Sequence, residues 1–182
     1  DGSVLHICGG SASAVLCGIY EALSQAGILF EATGYKILEK FDIHAFLHVK
    51  KSVKPKCRLR GIRQHINFPM DISSYTLEDA KKYIRALARM QYNAITFHSY
   101  GGQWHATEPD NPNSHAGHFF YGQHHPITTK DSLTASRIHN RKQYCIPEAE
   151  AIYDDEKACG EYAQYWLREV MKTVKEVGME LT

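Results

Sequence analysis

The sequence lacks the features that mark several common classes of protein. No hydrophobic run approaches the roughly 20 residues that a membrane-spanning helix needs. The 182 residues carry a net charge near +1 with no block of like charges, which argues against a dedicated nucleic-acid binder. The five cysteines are an odd number without a C-x-x-C pair, so neither a disulfide scaffold nor a zinc knuckle is indicated. We expect no membrane span, no nucleic-acid partner and free thiols.

Several motifs of catalysis and cofactor binding are also missing. The Gly9-Gly10-Ser11 turn has neither the G-x-G-x-x-G nor the G-K-[ST] spacing, so it is interpreted as a tight strand-to-helix turn. H-E-x-x-H and G-x-S-x-G are absent. We therefore expect no cofactor, no metal and no serine nucleophile. A metal-dependent hydrolase is a weaker alternative, based on five histidines scattered over one long irregular segment. These are His105, His115, His118, His124 and His125.

What is present is an ordinary globular composition, with 43% hydrophobic residues. Residues 4–8 read as a short strand, and helical spacing follows from residue 14, with a serine cap at position 11 or 13. Gly27 suits the left-handed position that ends a helix, and residues 28–30 restart as a strand. The opening is thus predicted to be a βαβ-like unit, followed by a second extended stretch over residues 43–49.

The stretch from residue 58 to residue 104 predicts strand, helix and strand. The first strand reaches His65, the helix begins near Thr76 with Asp79 completing a capping box, and the second strand covers residues 93–98. A right-handed crossover of this kind gives a parallel pair of strands. The buried stripe of the helix is predicted to be Leu77, Ala80, Ile84, Leu87 and Ala88.

A second long helix is predicted over residues 155–177, ended by Gly178 and followed by a strand over residues 179–182. Its inner stripe is predicted to be Ala163, Leu167, Val170, Met171, Val174 and Val177.

The fold class expected from this order is α/β. Residues 1–57 would form a small non-catalytic α/β domain, and residues 58–182 the first βα units of a (β/α)8 TIM-like barrel with a long loop over residues 99–154. A closed barrel takes about 250 residues, so the barrel is incomplete in this chain. We expect the amino-terminal part of a larger enzyme. Exposed sheet edges in such an array favour self-association.

Polar and aromatic side chains gather where the two central strands end. The carboxyl ends of parallel strands are the usual place for ligands. Arginine offers the fork geometry for a carboxylate, and tryptophan offers a flat apolar face together with an N–H donor. Interior hydrogen bonding of Arg63 and His65, or packing of Trp104, is the alternative interpretation. The candidate substrate-binding residues are Arg63, His65, His98, Tyr100, Gln103 and Trp104.

The motif RGIRQHINFP, coming after a small α/β domain, resembles the start of the catalytic barrel in two groups of glycoside hydrolases. These are the family 20 β-hexosaminidases and the family 67 α-glucuronidases. Arg60 and Gly61 match the opening pair of the hexosaminidase pattern R-G-x-x-x-D-x-x-R. The stretch 64–67 reads Gln-His-Ile-Asn and does not reproduce the later Asp and Arg, so their sugar contact is not carried over. Residues 18–28 resemble the domain that precedes the barrel.

This resemblance implies a hydrolase acting on an oligo- or polysaccharide, without a cofactor. In both families the catalytic carboxylates lie on later barrel strands, so none is assigned before Thr182, and the chain alone is expected to be inactive. A polysaccharide-degrading enzyme would favour a periplasmic or secreted location. The competing interpretation is a non-catalytic carbohydrate-binding or assembly module.

Overall fold

The computed structural model describes residues 4–46, 50–65, 72–98, 148, 151–152 and 155–182. Within these residues the protein is a mixed α/β structure with two small sheets, which confirms the expected class at this level, and they contain no closed barrel. None of the described helices is long and apolar enough to cross a membrane. The elements are α1 (Ala12–Gln25), β1 (Ile28–Glu31), β2 (Gly34–Ile37), β3 (Gly61–His65), α2 (Leu77–Arg89), β4 (Ala94–His98), α3 (Glu156–Glu176) and β5 (Glu180–Leu181).

Helix α1 begins and ends as its sequence predicts. The Ser11 hydroxyl accepts a hydrogen bond from the Ala14 amide at 3.1 Å and so satisfies one donor of the first turn. Gly27 has φ of +106°, a conformation that a side chain would strain, and the chain turns there into β1.

The predicted βαβ opening is wrong. Strands β1 and β2 form an antiparallel hairpin in which Ile28 faces Ile37 and Glu31 faces Gly34. Residues 4–8 join no strand ladder, and Val4 is 72% exposed. The hairpin forms because a two-residue loop is enough to join antiparallel strands, whereas a parallel pair needs a long crossover.

The predicted extended stretch over residues 43–49 is also corrected. Residues 43–46 form a 3₁₀ turn, and residues 47–49 lie outside the described residues. Asp42 fixes this turn, because its side chain accepts from the His44 amide at 2.8 Å and its carbonyl from the Ala45 amide at 3.1 Å. An aspartate that caps the chain in this way favours a turn over a strand.

The second sheet has the strand order β3-β4-β5. Strands β4 and β5 are parallel, with Ala94 beside Glu180, and the Thr182 amide donates to the Ile95 carbonyl at 3.1 Å. A Cβ atom added at Gly61 would lie 3.2 Å from the Ala94 side chain, so glycine permits β3 and β4 to approach closely here. The predicted alternation of strands and helices from β3 to β5 is confirmed.

The chain divides into two compact units. The first comprises residues 1–62, 81–96 and 172–182, and the second comprises residues 63–80 and 97–171. The domain boundary that the sequence suggests after residue 57 stays a prediction. Among the described residues, the large apolar side chains that are fully buried in the first unit are Ile84, Leu87, Ile95 and Val174. The corresponding apolar side chains of the second unit are Ile72, Trp166 and Val170.

Candidate functional site

Strand β3 presents two of the predicted site residues on one side. Arg63 and His65 are exposed, whereas Gln64 between them is only 7% exposed. The Gln64 side-chain oxygen accepts from the Ile72 amide at 3.2 Å. Since successive side chains of a strand point to opposite faces, the buried Gln64 directs both neighbours outward. The prediction that Arg63 and His65 share a face is confirmed.

His98, the last residue of β4, meets both of these side chains. The Arg63 guanidinium donates from Nη2 to His98 Nδ1. The His65 and His98 rings are stacked, with centroids 5.0 Å apart and planes inclined by 27°. We call Arg63, His65 and His98 the strand-end cluster. The structure thus brings together three of the six predicted residues.

The hydrogen bond between Arg63 and His98 fixes the tautomer of His98. A guanidinium can only donate, so Nδ1 must accept and the imidazole proton must reside on Nε2. His98 is therefore a neutral ring with one N–H donor, oriented by the arginine through its other nitrogen.

The pKa of His98 is lowered from its ordinary value of about 6.5. Burial that disfavours the charged ring is the largest cause, followed by the positive charge of Arg63 and then by His65. At neutral pH the strand-end cluster consequently carries the fixed charge of Arg63 beside a neutral His98.

We expect the substitution Arg63→Gln to raise the pKa of His98 part of the way back, because the charge is removed while the burial remains. An NMR titration of the imidazole signals measures this shift. Arg168→Gln, at an exposed arginine of α3, is the control and should leave the His98 titration unchanged. An unchanged pKa in Arg63→Gln would contradict the electrostatic assignment.

The lowered pKa of His98 also makes the stability of the folded protein depend on pH. The folded state binds a proton at His98 less readily than the unfolded chain does. The contribution of His98 to stability is therefore complete above about pH 6.5 and is lost as the pH falls through its lowered folded-state pKa.

The chemistry that this cluster offers is recognition of an anionic group. The guanidinium supplies up to five N–H donors and a permanent charge, and the imidazoles supply further polar atoms and flat faces. Carboxylates are the group that a guanidinium binds best, in a two-point contact. The cluster consists of one guanidinium and two imidazoles and does not include the pair of carboxyl groups that glycoside hydrolysis uses.

The other predicted residues lie beyond what the structure describes. Tyr100, Gln103 and Trp104 are outside the described residues, as are the five loop histidines of the metal-dependent alternative. Among the residues that are described, no three His, Cys, Asp or Glu side chains are grouped so as to hold a metal ion.

The sequence analysis does not predict that Gln64 orients the strand-end cluster. Its signal is present in the sequence, because a polar side chain at the inward position of an alternating strand requires a hydrogen-bond partner. The partner is a backbone amide eight residues away, and such a contact leaves no mark in the sequence pattern.

Comparisons with known proteins identify no relative: no family model matches the sequence, and no curated protein or solved structure is significantly similar to it. The resemblance to glycoside hydrolases stays a prediction from the sequence motif.

Proposed function

We propose that this chain belongs to a carbohydrate-active protein of the glycoside hydrolase type, in which the strand-end cluster lines one wall of the substrate cleft. The observation that carries the proposal is the exposed guanidinium of Arg63, hydrogen-bonded to His98 at the ends of two strands of one sheet. The substrate class that suits this group is an oligo- or polysaccharide containing a uronic acid, whose carboxylate would bind Arg63.

The fold that accompanies this function is the beginning of a (β/α)8 barrel. Support comes from the order β3-β4-β5, which follows the chain, and from the parallel pairing of β4 with β5. Tyr100, Gln103 and Trp104 belong to the same proposal as contributors to the cleft. Pairing of two copies through the outer strands of the described sheet is proposed with it.

Binding of glucuronate and of glucose to the 182-residue chain tests the proposal. We expect glucuronate to bind more tightly than glucose, because only glucuronate carries the carboxylate. In Arg63→Gln the affinity for glucuronate should fall about 10- to 100-fold, the equivalent of losing a charged hydrogen bond of about 1.5–3 kcal/mol. Isothermal titration calorimetry gives both constants.

Arg168→Gln is the matched control, since it removes the same charge from an exposed position on α3. Its affinity for glucuronate should equal that of the unmodified protein. Equal affinities for glucose and glucuronate, or an unchanged affinity in Arg63→Gln, would refute a carboxylate site at the cluster. Release of nitrophenol from nitrophenyl glucuronide by the purified chain would instead show a complete catalytic site, and would reject a purely binding role.

A further inference from the structure

The first compact unit contains a cavity of about 470 Å³, and none of the residues of the strand-end cluster lines it. Its walls are residues 5–11, one side of α1 from Ser13 to Gln25, and residues 51–60, and Gln91 and Asn93 complete the lining. Its volume is within the range of about 300–1,000 Å³ typical of sites for small organic ligands.

The charges that line this cavity are unequal. Lys51, Arg58 and Arg60 provide three cations, and Glu21 provides the one carboxylate of the lining. Arg58 forms an ion pair with a residue outside this lining, because its Nη1 atom lies 3.3 Å from the Glu180 carboxylate.

The Glu21 carboxylate accepts hydrogen bonds from three other side chains. They come from Lys51 at 2.6 Å, from Gln25 at 2.8 Å and from Gln91 at 2.9 Å. The bond from Lys51 is the largest cause that lowers the pKa of Glu21 to about 2, followed by those from Gln91 and Gln25. Glu21 is therefore ionised at neutral pH and compensates the charge of Lys51.

Arg60 is the cation without a carboxylate. It is half-buried, and its guanidinium donates from Nε to the Gln91 carbonyl at 3.0 Å and from Nη1 to the Cys57 carbonyl at 3.3 Å. Its Nη2 atom lies 3.8 Å from the Cys17 sulfur. No carboxylate of the described residues lies within ion-pairing distance of it. Three of the five N–H donors are used, so each Nη atom retains one.

The position of Arg60 is fixed before any ligand arrives. The Arg60 amide donates to the Asn93 side chain at 2.7 Å, and the Asn93 amide donates back to the Arg60 carbonyl at 3.0 Å. The Asn93 side chain also donates to the Arg58 carbonyl at 2.8 Å. Holding a binding group in place beforehand reduces the entropy lost on association.

Gln91 has an unusual backbone conformation and contacts both Arg60 and Glu21. Its φ of +67° is the only positive value of a non-glycine residue in the described part of the chain. In this conformation its carbonyl accepts from Arg60 and its side chain donates to Glu21. Such a conformation is unfavourable for a residue with a side chain and persists where the surroundings determine it. Gln91 is a positioning residue for Arg60.

We propose that this cavity is a second ligand site, which binds a small organic oxyanion, a carboxylate or a phosphate monoester, through the Arg60 guanidinium. A half-buried charge without a counter-ion is unfavourable, and an oxyanion supplies both the charge and acceptors for the two remaining donors. The site is distinct from the strand-end cluster, and its ligand does not have to be the substrate proposed above.

NMR of ¹⁵N-labelled protein tests this site, with glucuronate, glucose 6-phosphate and glucose as probes at equal ionic strength. We expect the Arg60 Nε–H signal and the Gln91 and Asn93 amide signals to shift and saturate with a charged sugar, but not with glucose. A response to glucuronate alone identifies a carboxylate ligand, and a response to glucose 6-phosphate alone identifies a phosphate monoester. The absence of saturation with both charged sugars, or an equal response to glucose, would overturn the proposal.

Two variants separate this site from the strand-end cluster and from a purely structural role of Arg60. Arg63→Gln should leave the Arg60 response to the charged sugars intact, even though it weakens binding at the cluster. Arg60→Lys keeps the charge but loses the fork, so its affinity for the effective sugar should fall about tenfold. An unchanged affinity in a folded Arg60→Lys protein would contradict the proposal, and if that variant does not fold, the titration of the unmodified protein decides.

Discussion

The substitution Trp166→Ala is expected to lower the free energy of unfolding by about 3–5 kcal/mol, the range for removing a large aromatic side chain from a core. Trp166 is completely buried on α3, in the second compact unit. Ala163 and Val170 lie one turn before and one turn after it, and both are buried as well. Removing the indole leaves a cavity that such short neighbours cannot fill.

Tyr165→Ala is the matched control for this experiment. Tyr165 is the adjacent aromatic residue of the same helix and is 47% exposed, so its loss should destabilise the protein far less. Urea unfolding followed by circular dichroism gives both free energies. Equal losses in the two variants would contradict the assignment of Trp166 to the core.

The substitution Ile95→Ala is expected to lower the free energy of unfolding by about 2–5 kcal/mol. Ile95 is fully buried at the second position of β4, the middle strand of its sheet, where its carbonyl also accepts from the Thr182 amide. The substitution removes buried carbon atoms without changing a backbone hydrogen bond, so the loss reports packing alone.

Ile37→Ala provides the control with the same chemical change. Ile37 is on β2 in the same compact unit and is 63% exposed, so we expect a change below about 1 kcal/mol. Thermal unfolding of both variants at one pH measures the difference. A loss in Ile95→Ala no larger than in Ile37→Ala would show that β4 is not part of the stable core.

The helices could be predicted because their signals are local. The stripe of α2 is buried at all five predicted positions, and the Asp79 amide bonds to the Thr76 hydroxyl at 3.1 Å as the capping box requires. In α3 the period was correct but the face was partly wrong: Trp166 is buried, whereas Leu167 and Met171 are only partly buried. When a buried stripe is predicted from aliphatic residues alone, it lies partly on the wrong side of the helix if a large aromatic residue such as Trp166 is buried in the core.

The opening of the chain was harder to predict because short strands depend on their partners. Residues 4–8 are apolar enough for a strand but have no ladder, while residues 34–37 were overlooked and pair with β1. Strand propensity describes how well a side chain fits a sheet, so it cannot say which sheet forms.

The strand-end cluster could be predicted in part, because alternation along β3 and the end of β4 follow from the sequence order. The cavity around Arg60 could not. Its network joins Glu21 to Gln91 across 70 positions and Arg60 to Cys17 across 43. Local periodicity carries no information about contacts at such separations, and the only sequence pattern that includes Arg60 is the Arg-Gly pair of the family motif.

The pairing of β4 with β5 has a consequence for synthesis of the protein. The hydroxyl groups of Thr96 and Thr182 meet at 2.7 Å across 86 positions of the chain. At a translation rate of about 5–20 residues per second, β4 emerges from the ribosome roughly 4–17 s before the strand that covers its edge. Throughout that interval the edge of β4 that pairs with β5 has no partner strand, and an unpaired edge in a nascent chain favours pairing with other chains.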